Sequence, residues 1–259
     1  MQVNVNVQKF INIIFKATLN YSVDYLQLHF IDGRIKSGMV TDNRGVVTLL
    51  DIENDGIIGV TKNDDIVFNF SEPNRKLISF LNLIDEDEAK MEIVEDEKIV
   101  IKSGKGARGS VVTFCRESIL QNNVLKKSSN DNIPYFHELE ITDDILNVTF
   151  EKIRKIGTLF GKIYVTIEDG VLYLESSDKN NVHTDGHREF LADNIEIDDL
   201  SICFDYPNFC NLMEVLKDSR GSGKEFEMKF AYLRERNGGM IHTTSTDGTE
   251  QYFLINRES

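Results

Sequence analysis

Two spacings of apolar residues take turns along this chain in a fixed order. Period-two stretches, such as Ile163, Val165 and Ile167 against Tyr164 and Thr166, predict half-buried antiparallel strands. Stretches with apolar residues three and four apart, such as Val7, Phe10, Ile11 and Ile14, predict amphipathic helices. Read end to end, they give one unit four times: a strand, a helix, then three strands. The first unit is QVNVNV, the helix VQKFINIIFKATLN, then YLQLHFID, GRIKSGMVT and GVVTLLDI. The second is DDIVFNF, PNRKLISFLNLI, AKMEIVED, KIVIKSG and GSVVTFCRE. The third is YFHELEIT, DDILNVTFEKIRKIGTLFG, KIYVTIED, GVLYLESSD and HREFLADNIEI. The fourth is DLSICFDY, PNFCNLMEVLKD, EFEMKFAYL, GMIHTTSTD and TEQYFLINRE. The helices begin near residues 7, 73, 142 and 206, a period of about 65 residues that marks a repeated supersecondary unit.

The punctuation agrees with this division. Asp32-Gly33, Glu95-Asp96-Glu97, Asp169-Gly170 and Asn237-Gly238-Gly239 stand where the first hairpin after each helix must turn. Pro73 and Pro207 suit the first turns of helices two and four, and Asp143 suits the N-cap of helix three. Between units two and three, SILQNNVLKKSSNDNIP is polar, lacks periodicity and ends in proline. The organisation read from this is an N-terminal domain over 1–118, a connector over 119–134 and a C-terminal domain over 135–259. The fold class is α+β, with helices on one face of antiparallel sheets and two units in each domain.

Composition narrows the function by exclusion. No apolar run approaches 18 residues, so no membrane span is expected, and the opening MQVNVNVQKF lacks the pattern of a secretory signal. Cys115, Cys203 and Cys210 stand apart, which reads as reduced thiols in a cytoplasmic chain. Gly104-Lys105-Gly106-Ala107-Arg108-Gly109 satisfies G-x-G-x-x-G, but it joins strand to strand. A dinucleotide fingerprint must open a helix, whose N-terminus holds the pyrophosphate. Gly221-Ser222-Gly223-Lys224 lacks the rest of a phosphate loop, with Asp218 and Glu225 at the wrong places. His183-Thr184-Asp185-Gly186-His187 has metal-ligand residue types on a loop with no third ligand nearby. Asp64-Asp65, Asp143-Asp144 and Asp198-Asp199 sit at strand starts and caps, where carboxylates serve turns. The expectation is no catalytic residue, no metal and no cofactor.

Charge then restores a partner that the total argues against. The chain carries a net charge of -14, which argues against nucleic acid. The helices depart from it. Lys9, Lys16, Arg75, Lys76, Lys152, Arg154, Lys155 and Lys217 stand there against Asp143, Asp144, Glu151, Glu214 and Asp218. On helix one, Lys9, Asn12, Lys16 and Asn20 oppose the apolar face. On helix three, Glu151, Arg154, Lys155, Thr158 and Lys162 oppose Leu146, Phe150, Ile153 and Phe160. Helix four is nearly neutral, and its nearby bases, Arg220 and Lys224, lie past its end.

Element order, spacing and length together resemble the DNA sliding clamps, the processivity rings of DNA polymerases. KFINIIFKATLNYSVDYLQLHF, IVFNFSEPNRKLISFLNLIDEDEAKMEIVEDEKIVIKSGKGARGSVVTF and IPYFHELEITDDILNVTFEKIRKIGTLFGKIYVTIEDGVLYLESSDKN look most like the tailed-phage trimeric clamps, which are related to the PCNA-type clamps. The resemblance implies a ring of twelve units, hence a homotrimer, with helices lining the hole and sheets outside. It implies duplex DNA, bound without regard to sequence, a replicative polymerase and a clamp loader as partners. The eight helix cations above would face the phosphates. A hydrophobic peptide from partners would enter a pocket near the connector, for which Val40, Leu125, Ile133, Pro134, Tyr135, Phe253 and Leu254 are the candidates. The alternative keeps the fold and changes the assembly: a monomeric or dimeric polymerase accessory factor that binds DNA on one basic face.

Overall fold

The computed structural model describes residues 2–60, 64–94, 98–103, 110–113, 120, 123–125, 133–179, 186–234 and 238–257. The first unit opens with β1 (Gln2–Asn6), which runs directly into α1 (Val7–Ala17). Asn6 makes the junction: its backbone is extended and its side chain accepts from Lys9 N at 3.0 Å, capping a donor the helix leaves free. β2 (Tyr25–Ile31), β3 (Arg34–Val40) and β4 (Val46–Glu53) follow. The second unit is β5 (Ile66–Ser71), α2, β6 (Glu88–Val94), β7 (Lys98–Ser103) and β8 (Ser110–Thr113). Here α2 is a π-helical turn, Asn74–Ile78, continued by one α-helical turn, Ser79–Leu81. The third is β9 (Tyr135–Glu140), α3, β10 (Lys162–Glu168), β11 (Val171–Ser176) and β12 (His187–Ala192). In it α3 is a π-helical turn, Ile145–Thr149, leading into the α-helix Phe150–Phe160. The fourth is β13 (Leu200–Asp205), α4 (Tyr206–Gly221), β14 (Phe226–Leu233), β15 (Gly238–Ser245) and β16 (Glu250–Arg257). Among the described residues, every strand and helix the periodicity predicts is present and in order.

The chain forms two compact units, Met1–Ser128 and Ser129–Ser259. In each, the two repeats exchange their first strands. In the first, β1 joins the sheet of the second repeat in the order β1-β6-β7-β8, with Val3 opposite Met91 and Val5 opposite Ala89. In return β5 joins the first repeat's sheet in the order β5-β2-β3-β4, with Leu26 opposite Phe70 and Leu28 opposite Phe68. In the second, β9 pairs with β14, giving β16-β15-β14-β9, and β13 pairs with β10, giving β12-β11-β10-β13. The exchange is why two repeats form one folding unit: each sheet of four is built from both.

The cores follow from the exchange. In the first unit Phe10 of α1 meets Phe70 of the borrowed β5 at 6.4 Å between ring centres, and Phe68 meets Phe30 edge-on at 5.4 Å. In the second, Phe150 of α3 meets Phe209 of α4 edge-on at 5.7 Å, both buried. Glycine at 157 allows this approach, because a Cβ there would lie 2.4 Å from the Tyr206 ring. The Tyr206 hydroxyl in turn donates to the Arg154 carbonyl at 2.8 Å.

Local chemistry decides the ends. Asp32 and Gly33 have φ of 54° and 76°, and Asp169 and Gly170 have 51° and 74°, the paired left-handed residues that a two-residue hairpin needs. The helix expected over residues 7–20 stops at Ala17. Leu19, Asn20 and Tyr21, at φ 47°, 47° and 70°, turn left-handed instead. Thr18 organises that turn: its hydroxyl donates to Ile14 O at 2.7 Å and accepts from Tyr21 N at 3.2 Å. The cap of α3 also differs from expectation. Thr142 Oγ1 accepts from Ile145 N at 3.2 Å, while Asp143 turns to Arg220 Nε at 2.8 Å, drawn by charge rather than by the free amide. The turns at Glu95-Asp96-Glu97 and Gly104–Gly109 lie outside the described residues.

Candidate nucleic-acid interface

Among the described residues, six of the eight helix cations are held by acids from the same chain. Lys9 is exposed on α1, and its Nζ lies 3.0 Å from Asp55 O and 3.5 Å from an Asp55 carboxylate oxygen. Arg75 and Lys76 on α2 share Glu72, at 3.4 and 2.7 Å. Lys152 on α3 reaches Glu189 of β12 at 3.2 Å. Arg154 of α3 donates to Glu151 from Nε at 2.9 Å, and Lys217 of α4 reaches the same carboxylate at 3.0 Å. Arg154 and Lys217 hold the Glu151 carboxyl at about 2, the Arg154 hydrogen bond being the main cause. Lys76, by hydrogen bond and charge, pulls Glu72 below the usual carboxylate range. Lys155 is exposed, and among the described residues no ion pair includes it.

Lys16 is the correction. Expected on the outward face, it is only 8% exposed. The cause is in the backbone: α1 ends one residue later, and the chain reverses beside Lys16 instead of continuing as helix. Leu19 N–H takes the Lys16 carbonyl at 3.1 Å as it does so.

The peptide-pocket candidates divide between the two units. In the first, Val40 is buried and Leu125 half-buried, and they are tied together by the connector. Pairing of β2 with β3 runs from Arg34 to Lys36, and beyond it residues 123–125 take over the edge of β3. Leu125 N donates to Gly38 O at 2.9 Å and Val40 N to Asn123 O at 2.8 Å. The Asn123 side chain closes the link by donating to Val40 O at 3.1 Å and Asp42 Oδ1 at 2.6 Å. In the second unit, Ile133 and Tyr135 are half-buried, Pro134 is exposed, and Phe253 and Leu254 are buried in β16.

A residue that the sequence reading passed over joins two of these. His242 of β15 stacks on Phe253, with ring centres 4.1 Å apart, and its Nδ1 lies 2.6 Å from the Tyr135 hydroxyl. The signal for it was a histidine inside the apolar strand GMIHTTS. Burial pushes its imidazole down to about 4. The native ring is therefore neutral, and the unfolded chain takes up the proton first. The stability it contributes is complete above about pH 6.5 and is lost as pH falls toward 4, at most about 3 kcal/mol. Urea unfolding at stepped pH is expected to show a loss between pH 6.5 and 5 that His242→Gln removes. Identical pH profiles for the two proteins would sink the assignment.

The remaining motifs are absorbed by turns and pairs. Asp65 meets His29 at 2.6 Å, Asp199 accepts from Asp169 N at 3.0 Å, and Asp143 serves Arg220. His187 bonds Glu189 at 2.5 Å, while His183 and Asp185 lie outside the described residues. Burial pushes the Cys203 and Cys210 thiols up, away from reactivity, and Cys115 is not among the described residues. No helix among the described residues is long and apolar enough to cross a membrane.

Comparison of the sequence itself with family models and with curated proteins gives no match. Solved structures do match, over the whole chain. PCNA of A. fulgidus, solved with the C-terminal region of FEN-1, superposes with a TM-score of 0.64 at 12% identity, covering 100% of this chain and 99% of that one. PCNA from Thermococcus kodakaraensis gives 0.64 at 12%, covering 99% and 100%. The DNA polymerase III beta chain of Streptococcus pneumoniae gives 0.65 at 11%, and this chain covers 65% of its length. The fold is that of the sliding clamps, α+β with antiparallel sheets, and its full length corresponds to one PCNA chain.

Proposed function

We propose that the chain is a sliding clamp: three copies close a ring around duplex DNA and tether a replicative polymerase to it. The observation that carries this reading is the clamp fold along the entire chain, with four repeats in two units. Twelve repeats close the ring, so four per chain require a trimer. The exposed bases of α1, α2 and α3 supply a sequence-blind attraction to phosphate, and topology supplies retention. β8 and β12 end their sheets, and they are the edges that meet between copies in this reading. Phe190 of β12, 58% exposed, would be covered there. Partners then dock a hydrophobic peptide near the connector, a loader opens the ring, and the protein, not an enzyme, works in the cytoplasm, that of the host if phage-encoded.

Light scattering over a dilution series from tens of micromolar tests the assembly. The expected mass is about 89 kDa, three times the 29.6 kDa of one chain. A strict monomer at the highest concentration would remove the ring and leave the accessory factor that grips DNA on one face. Salt separates the two again. A one-face binder loses affinity with a slope of about -0.9 per phosphate contacted, whereas a closed ring stays on circular DNA.

A further inference from the structure

Half of the helix cations are gripped two by two, once in each unit. Glu72 takes Lys76 and Arg75, and Glu151 takes Arg154 and Lys217. Neither carboxylate is a chance surface neighbour. Glu72 is held at φ 47°, in the left-handed region that side-chain-bearing residues seldom enter. Its N–H donates to Asp24 O at 2.7 Å, and its carbonyl accepts from Lys76 N at 3.0 Å. From this position its carboxylate reaches forward onto the first turn of α2, to Arg75 and Lys76. Glu151, on α3 where it faces α4, accepts from Nε and Nη2 along one edge of the Arg154 guanidinium and receives Lys217 from α4.

The physical consequence concerns grip. Each free cation on such a surface adds one phosphate contact and steepens the salt dependence. A carboxylate shared by two cations cancels one of their two charges, and DNA phosphate must displace it to reach them. We propose that Glu72 and Glu151 are built-in stand-ins for DNA phosphate, which keep four cations in position and limit how tightly they hold the duplex. The inference rests on the clamp reading: a ring that topology retains gains mobility from a weakened grip, whereas a one-face binder would lose retention.

The test is binding of a short fluorescent duplex of mixed sequence, by anisotropy, across a low-salt series. Glu72→Gln and Glu151→Gln are each expected to bind about five- to tenfold tighter than the unaltered protein, with a salt slope steeper by about 1. The gain at Glu151 is expected to vanish when Arg154→Gln and Lys217→Gln are added, which a purely structural ion pair would not require. Thermal melting accompanies each variant. If Glu151→Gln fails to fold, Glu72→Gln decides, because Glu72 lies at the surface. Unchanged or weaker binding by well-folded variants, beside an unaltered protein that does bind, overturns this inference alone. No binding by any of them at the lowest salt overturns this inference as well, and the clamp reading then stands or falls separately on the mass and on retention on circular DNA.

Discussion

Replacing Lys9, Arg75, Lys152 and Lys155 together with glutamate is expected to weaken duplex binding at least about 100-fold at moderate salt, with folding and assembly retained. All four side chains are exposed, so the fold loses only surface pairs with Asp55, Glu72 and Glu189. Such pairs contribute about 0–1 kcal/mol each, and the new like-charge contacts cost similar amounts. Under the proposed function the effect on DNA is larger, because each reversal would remove one phosphate contact and add a repulsion, and a trimeric ring would repeat it in three copies. Lys16 is left out of the set: a carboxylate at a position 8% exposed would damage the fold and confuse the readout. Anisotropy on a duplex and primer extension on a circular template are the measurements. Unimpaired processivity in a variant of normal mass would remove the helix faces as the DNA-binding surface.

Replacing Lys224 with alanine is expected to destabilise the second unit by about 3 kcal/mol, a fall in Tm of roughly 6–12 °C. Glu250 is 1% exposed at the start of β16. It accepts from Ser219 Oγ at 2.8 Å and from the Tyr252 hydroxyl at 3.0 Å, and Lys224 Nζ lies 3.1 Å away. Asp247 also binds Lys224, at 3.2 Å, and the hydrogen bonds it accepts from Ser245 and Thr249 hold its carboxyl well below the usual range despite partial burial. The cluster fastens the end of α4 to β16. Removing the ammonium takes the cation from a buried carboxylate, which costs more than the pair itself contributes. Adding Glu250→Gln to the alanine variant is expected to recover part of the loss. A loss below about 1 kcal/mol, or no recovery, would mean that Glu250 does not depend on that charge.

How much of this was legible beforehand depends on the range of the interaction. Periodicity reports one segment's own burial, so β1 to β16 and the four helices could be read from the chain. So could the hairpins at Asp32-Gly33 and Asp169-Gly170, where two adjacent residues determine the backbone. The basic bias of the helices was legible as composition. Its neutralisation was only partly so. Glu72 and Glu151 stand within four residues of a cation they hold, but Asp55, Glu189 and Lys217 arrive from other elements.

What the sequence alone determined is therefore the inventory: four strand-helix-three-strand repeats, their order, and the residue types on each face. Tertiary structure decided the partners. The exchange of β1 with β5 and of β9 with β13 cannot be read from either repeat, because Val3 finds Met91 and Val165 finds Ile202 through contacts between distant segments. Lys16 became buried for a similar reason, by the reversal at Leu19–Tyr21 that its helix pattern does not contain. The Tyr135–His242–Phe253 stack joins residues more than a hundred positions apart. Period and propensity act over a few residues, whereas register, burial of a boundary residue and the pairing of charges are settled by whichever surface the folded chain brings against them.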